Sequence, residues 1–113
     1  MATNYMLRAY TLTLSGTAQS LAAAFADSTV GGADDIAVQQ ILLQPDNGNS
    51  HVIQVGDSNV TASLFAIELA KPVTSIPPPP VSIGPLASAR IKPSTVFVLG
   101  TAAEKLHILL VGF

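Results

Sequence analysis

The chain has no cysteine and no tryptophan, and Lys, Arg, Asp and Glu together make up only 11% of its 113 residues. Without Cys there can be no disulfide framework and no thiolate metal site. Charged residues make up about 25% of an ordinary soluble domain, and a chain this short leaves roughly a third or more of its unfolded surface exposed after folding. Few ionic side chains are left to cover that surface. Either Ser, Thr, Asn and Gln solvate it, or part of it faces another protein. The five basic residues, Arg8, Lys71, Arg90, Lys92 and Lys105, are scattered, and the net charge is −2. Phosphate recognition needs clustered cations, so nucleic acid is not an expected partner. No apolar run approaches the roughly 20 residues of a membrane span, so no membrane partner is expected either. Met1-Ala2-Thr3-Asn4 lacks the basic and apolar stretches of a secretory signal, and no leader is expected.

What is present reads as β structure. The length suits one domain, residues 1–113. Thr and Val recur in short runs broken by Gly, Pro, Asn and Asp, the punctuation of an all-β protein. Tyr10, Leu12 and Leu14 alternate with Thr11 and Thr13 as a half-buried strand. Leu21, Ala24 and Phe25 fall at helical spacing behind Thr17 or Ser20 as N-cap, which predicts one short helix over 17–26. A second strand runs from Ile36 to Gln44, and its apolar parity flips at Gln39-Gln40. A β-bulge there, or burial on both faces, accommodates the flip. Pro45-Asp46-Asn47-Gly48-Asn49-Ser50 carries an Asn-Gly hairpin signal, with His51 to Val55 as the return strand. Leu64 to Leu69 follows with Phe65, Ile67 and Leu69 on one face. Thr95 to Leu99 and Leu106 to Val111 read as a closing hairpin turned at Gly100-Thr101-Ala102. The expected architecture is a β-sandwich or jelly-roll-like barrel of about six to eight short strands with one short helix.

The segment 72–89 stands apart as a Pro-rich loop. It holds six of the eight prolines, including Pro77-Pro78-Pro79-Pro80, and no charged residue. Proline cannot donate to a sheet ladder, so most of the segment is expected to be loop or edge, and four in a row favour a stiff polyproline II rod. Val73, Ile76, Val81, Ile83 and Leu86 ride on this segment, too many apolar side chains for a monomer to hide easily. The charge deficit is therefore concentrated in one candidate contact surface: Ile76, Pro77, Pro78, Pro79, Pro80, Val81, Ile83 and Leu86, with Tyr5 and Met6 as an N-terminal arm. Removing Pro77 to Pro80 is expected to weaken assembly and spare the fold.

Chemistry is hard to find in the sequence. There is no phosphate loop and no nucleophile elbow. His51 and His107, each on an expected strand, could join Glu68 in a metal triad like that of cupin barrels, but the compact His-x-His run of those sites is missing. A lone strand histidine is more often a surface or packing residue. His107 alternates against Leu106, Ile108 and Leu110, which puts it on the solvent or partner face. Asp34-Asp35 and Asp57 fall in loops, where carboxylates usually serve as solvated turn residues or caps. Asn59-Val60-Thr61 matches a glycosylation acceptor by chance composition. Pro77 to Pro80 could serve as an SH3-type ligand, although a stiff loop packed on a neighbouring subunit is the simpler reading. No catalytic residue, metal or cofactor is expected.

Two stretches carry a resemblance. Val52-Ile53-Gln54-Val55-Gly56-Asp57-Ser58-Asn59-Val60-Thr61 runs from a strand into a Gly-Asp-Ser-Asn turn. Val96-Phe97-Val98-Leu99-Gly100-Thr101-Ala102 then leads to Leu106-His107-Ile108-Leu109-Leu110-Val111. The pairing resembles small structural proteins of tailed bacteriophages, with a V-x-V-G-D/G-S-x-V-T turn ahead of a C-terminal V-I-G-T-A hairpin. The likeness spans roughly Ile36 to Val111. The tetraproline segment stands where that family usually has Gly-rich turns. The resemblance implies a non-enzymatic β-sandwich or jelly-roll subunit of a virion, often a homotrimer. It would be a cement or decoration protein on the capsid surface, assembled in the host cytoplasm, with the major capsid protein or other virion proteins as partners. Two other functions fit the residues: a tail- or fibre-associated module that binds host glycan, and a small cupin-like metal-binding protein.

Overall fold

Alternation of side chains sets up the long strands. β1 (Leu7–Thr13) turns Tyr10 and Leu12 inward, and β8 (Lys105–Val111) buries Leu106, Ile108 and Leu110. β3 (Gln40–Pro45) does the same with Ile41 and Leu43. Five shorter strands complete the set: β2 (Gln19–Ser20), β4 (Ile53–Gly56), β5 (Ile67–Leu69), β6 (Val81–Ile83) and β7 (Phe97–Leu99). This is a computed structural model, and it describes residues 7–25, 35–73, 76 and 78–112. Tyr5, Met6 and Pro77 lie outside the described residues.

Two four-stranded antiparallel sheets result, ordered β1-β8-β3-β6 and β2-β7-β4-β5. The pairing nests: β1 with β8, β2 with β7, β3 with β6, β4 with β5. A chain doubled into one long hairpin and then rolled around a core gives this pattern, which is the jelly roll. The all-β sandwich expected from the sequence takes that form. Leu21, Val38, Ile41, Leu43, Ile53, Val98, Leu106 and Leu110 are wholly inaccessible between the sheets.

Two local expectations change. The two expected hairpins are corners instead. β3 and β4 lie in different sheets, as do β7 and β8, so the Asn47-Gly48 turn and the Gly100–Ala102 turn carry the chain across the sandwich. Among the described residues, only β4 and β5 are paired neighbours in sequence. The expected helix over 17–26 is a four-residue 3₁₀ turn, Leu21–Ala24, capped by the Ser20 hydroxyl on the Ala22 N–H at 3.1 Å. Three apolar residues at helical spacing suit one turn as well as a helix, and the β2 pairing takes the residues a longer helix would need. Within the Pro-rich segment, expected to be mostly loop or edge, Val81–Ile83 pairs with β3 as an edge strand.

The parity flip at Gln39-Gln40 is resolved by a bend. Val38 bridges Ile91 through backbone bonds of 2.9 and 2.8 Å, whereas β3 begins at Gln40 and pairs with β6 and β8. The Gln39 N–H is shared between the Val111 and Gly112 carbonyls at 3.1 and 3.2 Å. Val38 and Ile41 both face the core because the chain turns between them.

Behind that bend, Gly84 has φ +93, and the Gln39 carbonyl oxygen lies 2.5 Å from where a Cβ would stand. Both the dihedral and the close approach demand glycine. Gly84→Ala is expected to lower stability by at least about 2 kcal/mol, read as an earlier denaturant midpoint at unchanged slope. A change below about 0.5 kcal/mol, the scale of an ordinary surface substitution, would contradict this packing.

Candidate functional site

The alternation that fills the core leaves a second set of side chains on the outer side of the β1-β8-β3-β6 sheet. Register aligns them in rows: Thr11, His107 and Gln44 in one, Ala9, Leu109 and Leu42 in the next, Leu7, Val111 and Gln40 in the third. The first row is polar, while the second is apolar across β1, β8 and β3 and ends in Ser82 on β6. A groove of about 440 Å³ lies over the first two rows, with Pro80 on its wall. The Gln44 side-chain amide donates to the Pro78 carbonyl at 2.8 Å, which pins the Pro-rich segment beside the sheet. Tyr10 contributes to the groove lining, yet its ring packs on Phe25 with centroids 4.6 Å apart. Tyr10 therefore offers no stacking platform to a sugar.

A hydrogen-bonded chain crosses the polar row. His107 Nε2 lies 2.7 Å from Asp46 Oδ1, and His107 Nδ1 lies 3.1 Å from the Thr11 hydroxyl. A carboxylate only accepts, so Nε2–H donates to Asp46, and in the neutral ring Nδ1 accepts from Thr11. The His107 bond, followed by the bond from the Gly48 N–H, holds the Asp46 carboxyl below its ordinary pKa. Hydroxyl, imidazole and carboxylate in line have the order of a hydrolytic relay. The β1–β8 ladder holds Thr11 and His107 in register, and the Asp46 N–H bond to the Lys105 carbonyl at 3.1 Å places the carboxylate beside them. The chain of bonds ties three segments together.

A second polar cluster locks the corners. Asn49 is buried and mimics a strand residue: its amide donates to the Lys105 carbonyl at 2.7 Å and accepts from the Lys105 N–H at 2.9 Å. Glu104 accepts from the Ser50 N–H at 2.8 Å, from the His51 N–H at 3.2 Å, and from the His51 ring at 3.1 Å. Burial works to raise the Glu104 carboxyl, and those hydrogen bonds outweigh it, leaving its pKa below the ordinary value. The turn after β3 is thus fastened to the start of β8. Sequence reasoning missed Asn49 and Glu104 because each acts on a residue more than fifty positions away.

The metal triad weighed against the sequence does not converge. His51 is engaged with Glu104, His107 with Asp46, and Glu68 accepts from the Gln54 amide at 3.0 Å. Among the described residues no three of His, Asp and Glu come together as metal ligands. Asp35, read as a solvated turn residue or a cap, is buried and accepts the Ser94 N–H at 3.0 Å, at the start of the 3₁₀ turn Pro93–Thr95.

The expected contact surface divides. Ile76 is 64% exposed, and Pro79 and Pro80 are also exposed. Pro78 is buried under the Gln44 bond and Pro80 leads straight into β6, so deleting the four prolines would disturb the sheet edge. Val81 and Ile83 point inward opposite Leu43 and Ile41 and pack on the core, which corrects their reading as free contact residues. Leu86 is half-buried, with its N–H on the Gln39 carbonyl at 3.0 Å. Leu7, Leu64, Phe65 and Val73 are exposed as well. Phe65 was expected on an inward face, but β5 starts at Ile67 and leaves it in the preceding loop.

No known protein family, curated protein or solved structure matches this chain.

The lowered carboxyls make stability pH-dependent. Asp46 and Glu104 ionise more easily folded than unfolded, so their contribution is complete above their ordinary values of 3.8 and 4.5 and is lost as pH falls through the folded values. Thermal unfolding midpoints should drop on acidification below that range. The drop should be smaller in Asp46→Asn and Glu104→Gln. An equal drop in all three proteins would contradict the role given to these bonds.

Proposed function

We propose that this chain is a non-enzymatic structural protein of a tailed-phage virion, a cement or decoration protein that stabilises the head. It acts by laying apolar loop and edge surface against the major capsid protein and against its own copies, as a homo-oligomer that is three-fold in the family it resembles. The observation that carries this reading is the large apolar side chains left in water by a chain with few charges. Val73 is 68% exposed, Ile76 64%, Leu7 63% and Leu64 60%. Burying such side chains yields about 25 cal/mol per Å² before association costs.

Their distribution supports a bridging role. Leu64 and Phe65 precede β5, whereas Val73 and Ile76 follow it, so the two pairs lie toward opposite ends of that strand. Leu7 opens β1 on the outer side of the other sheet. A subunit that cements a shell must adhere in more than one direction, and this one carries apolar surface in three places. Val73 and Ile76 also hold each other in place, through an Ile76 N–H to Val73 carbonyl bond of 2.9 Å. The apolar end beside the prolines is therefore a shaped surface.

Co-sedimentation with empty shells of the major capsid protein from the phage that encodes the chain tests the reading. The native chain should pellet with the shells. The double variant Val73→Ser, Ile76→Ser should bind at least about tenfold more weakly, since several tens of Å² of apolar contact are lost from each side chain. Both side chains are solvent-exposed, so its unfolding free energy should change by no more than about 0.5 kcal/mol per site. Failure of the native chain to pellet would overturn the proposal.

A further inference from the structure

Each sheet ends in two edge strands, and three of the four edges are blunted. β2 has two residues, β5 has three with Glu68 among them, and β6 has three between Pro80 and Pro85. Short length, charge and flanking proline are the usual means by which natural sheets avoid pairing with other chains. β1 has none of them. It is seven residues long, it contains no proline or glycine, and its single charge, Arg8, stands one residue from its start. Among the described residues no strand pairs with β1 on the side away from β8.

The ladder fixes which groups face that side. Leu14 donates to the Glu104 carbonyl at 2.8 Å, and its own carbonyl accepts from Ala103 at 2.9 Å, so both its backbone groups point to the β8 side. By antiparallel alternation Arg8, Tyr10 and Leu12 also bond to β8, while Leu7, Ala9 and Thr11 present N–H and C=O to the open edge; Thr13 faces the same side, where its carbonyl accepts from the Gln19 side-chain amide at 3.5 Å.

We propose that the β1 edge is a self-association surface, paired antiparallel with β1 of a second copy about a two-fold axis at Tyr10. This register sets Ala9 against Thr11 of the other copy as hydrogen-bonded pairs on either side of the axis, so the outward groups at the centre of each strand meet partners, and it brings Leu7 opposite Thr13, whose carbonyl also holds the Gln19 amide. Arg8 falls opposite Leu12, and no like charges oppose each other. The outer rows continue across the axis, because Ala9 and Thr11 share one face of the strand. Strand pairing of this kind is isologous and closes at two. It joins two chains, or two larger rings, and it stands apart from the virion reading above.

Amide hydrogen exchange on the native chain, combined with light scattering over a range of concentrations, tests the proposal. The mass should correspond to an even number of chains. The Ala9 and Thr11 amides should be protected at high concentration and lose that protection on dilution. Ala9→Pro removes one outward N–H and leaves the β8 ladder intact. It should weaken association by at least about tenfold without loss of far-UV circular dichroism. A monomeric or odd-numbered particle would overturn the proposal. So would protection of Ala9 and Thr11 that is absent, or that does not change with dilution.

Discussion

β8 is the strand on which the remaining structure depends. Its backbone serves two neighbours at once, with Leu106, Ile108 and Leu110 on the β1 side and His107, Leu109 and Val111 on the β3 side. Its side chains divide in the same way, the first set in the core and the second on the outer face. A slip of one residue would exchange the two sets and place a histidine among the core aliphatics. The register is therefore set by burial, and fixed at one end by Asn49 and Glu104. Those two residues turn a local corner into a long-range fastening, since each joins the turn after β3 to the start of β8, more than fifty positions away.

Everything distinctive about the outer face follows from that register. Thr11, His107 and Gln44 form a polar row because three strands meet at one level, and Ala9, Leu109 and Leu42 form the apolar row beside it. The groove over them is walled by a proline segment that the sheet itself holds through Gln44. Apolar surface is thus arranged in fixed positions, which is what association with another rigid body requires. The exposed edge of β1 borders the same face.

Strand alternation was legible in the sequence, and with it the all-β class. Tyr10-Leu12-Leu14 and Leu106-Ile108-Leu110 mark their strands without help from any other part of the chain. Pairing was not legible. An Asn-Gly turn signals a reversal of direction, and it reads alike whether the chain returns in the same sheet or crosses to the other. The distinction resides in Asn49 and Glu104, whose partners are remote in sequence. β6 was obscured for a related reason, because Val81-Ser82-Ile83 alternates properly but stands among prolines that argue for a loop. The Thr11–His107–Asp46 chain joins three segments and leaves no spacing pattern to read.

The nested topology requires the first and last strands to lie side by side. Thr13 and Lys105 are opposed in β1 and β8, both exposed, at a position where the two strands do not bond each other. The chain has no cysteine of its own, so Thr13→Cys, Lys105→Cys introduces one defined pair. Oxidation should close an intrachain disulfide in the folded protein and raise its stability by up to about 4 kcal/mol through the long loop it closes. Failure to form that bond in the folded chain, with both thiols reactive, would contradict the pairing of β1 with β8 and the fold built on it.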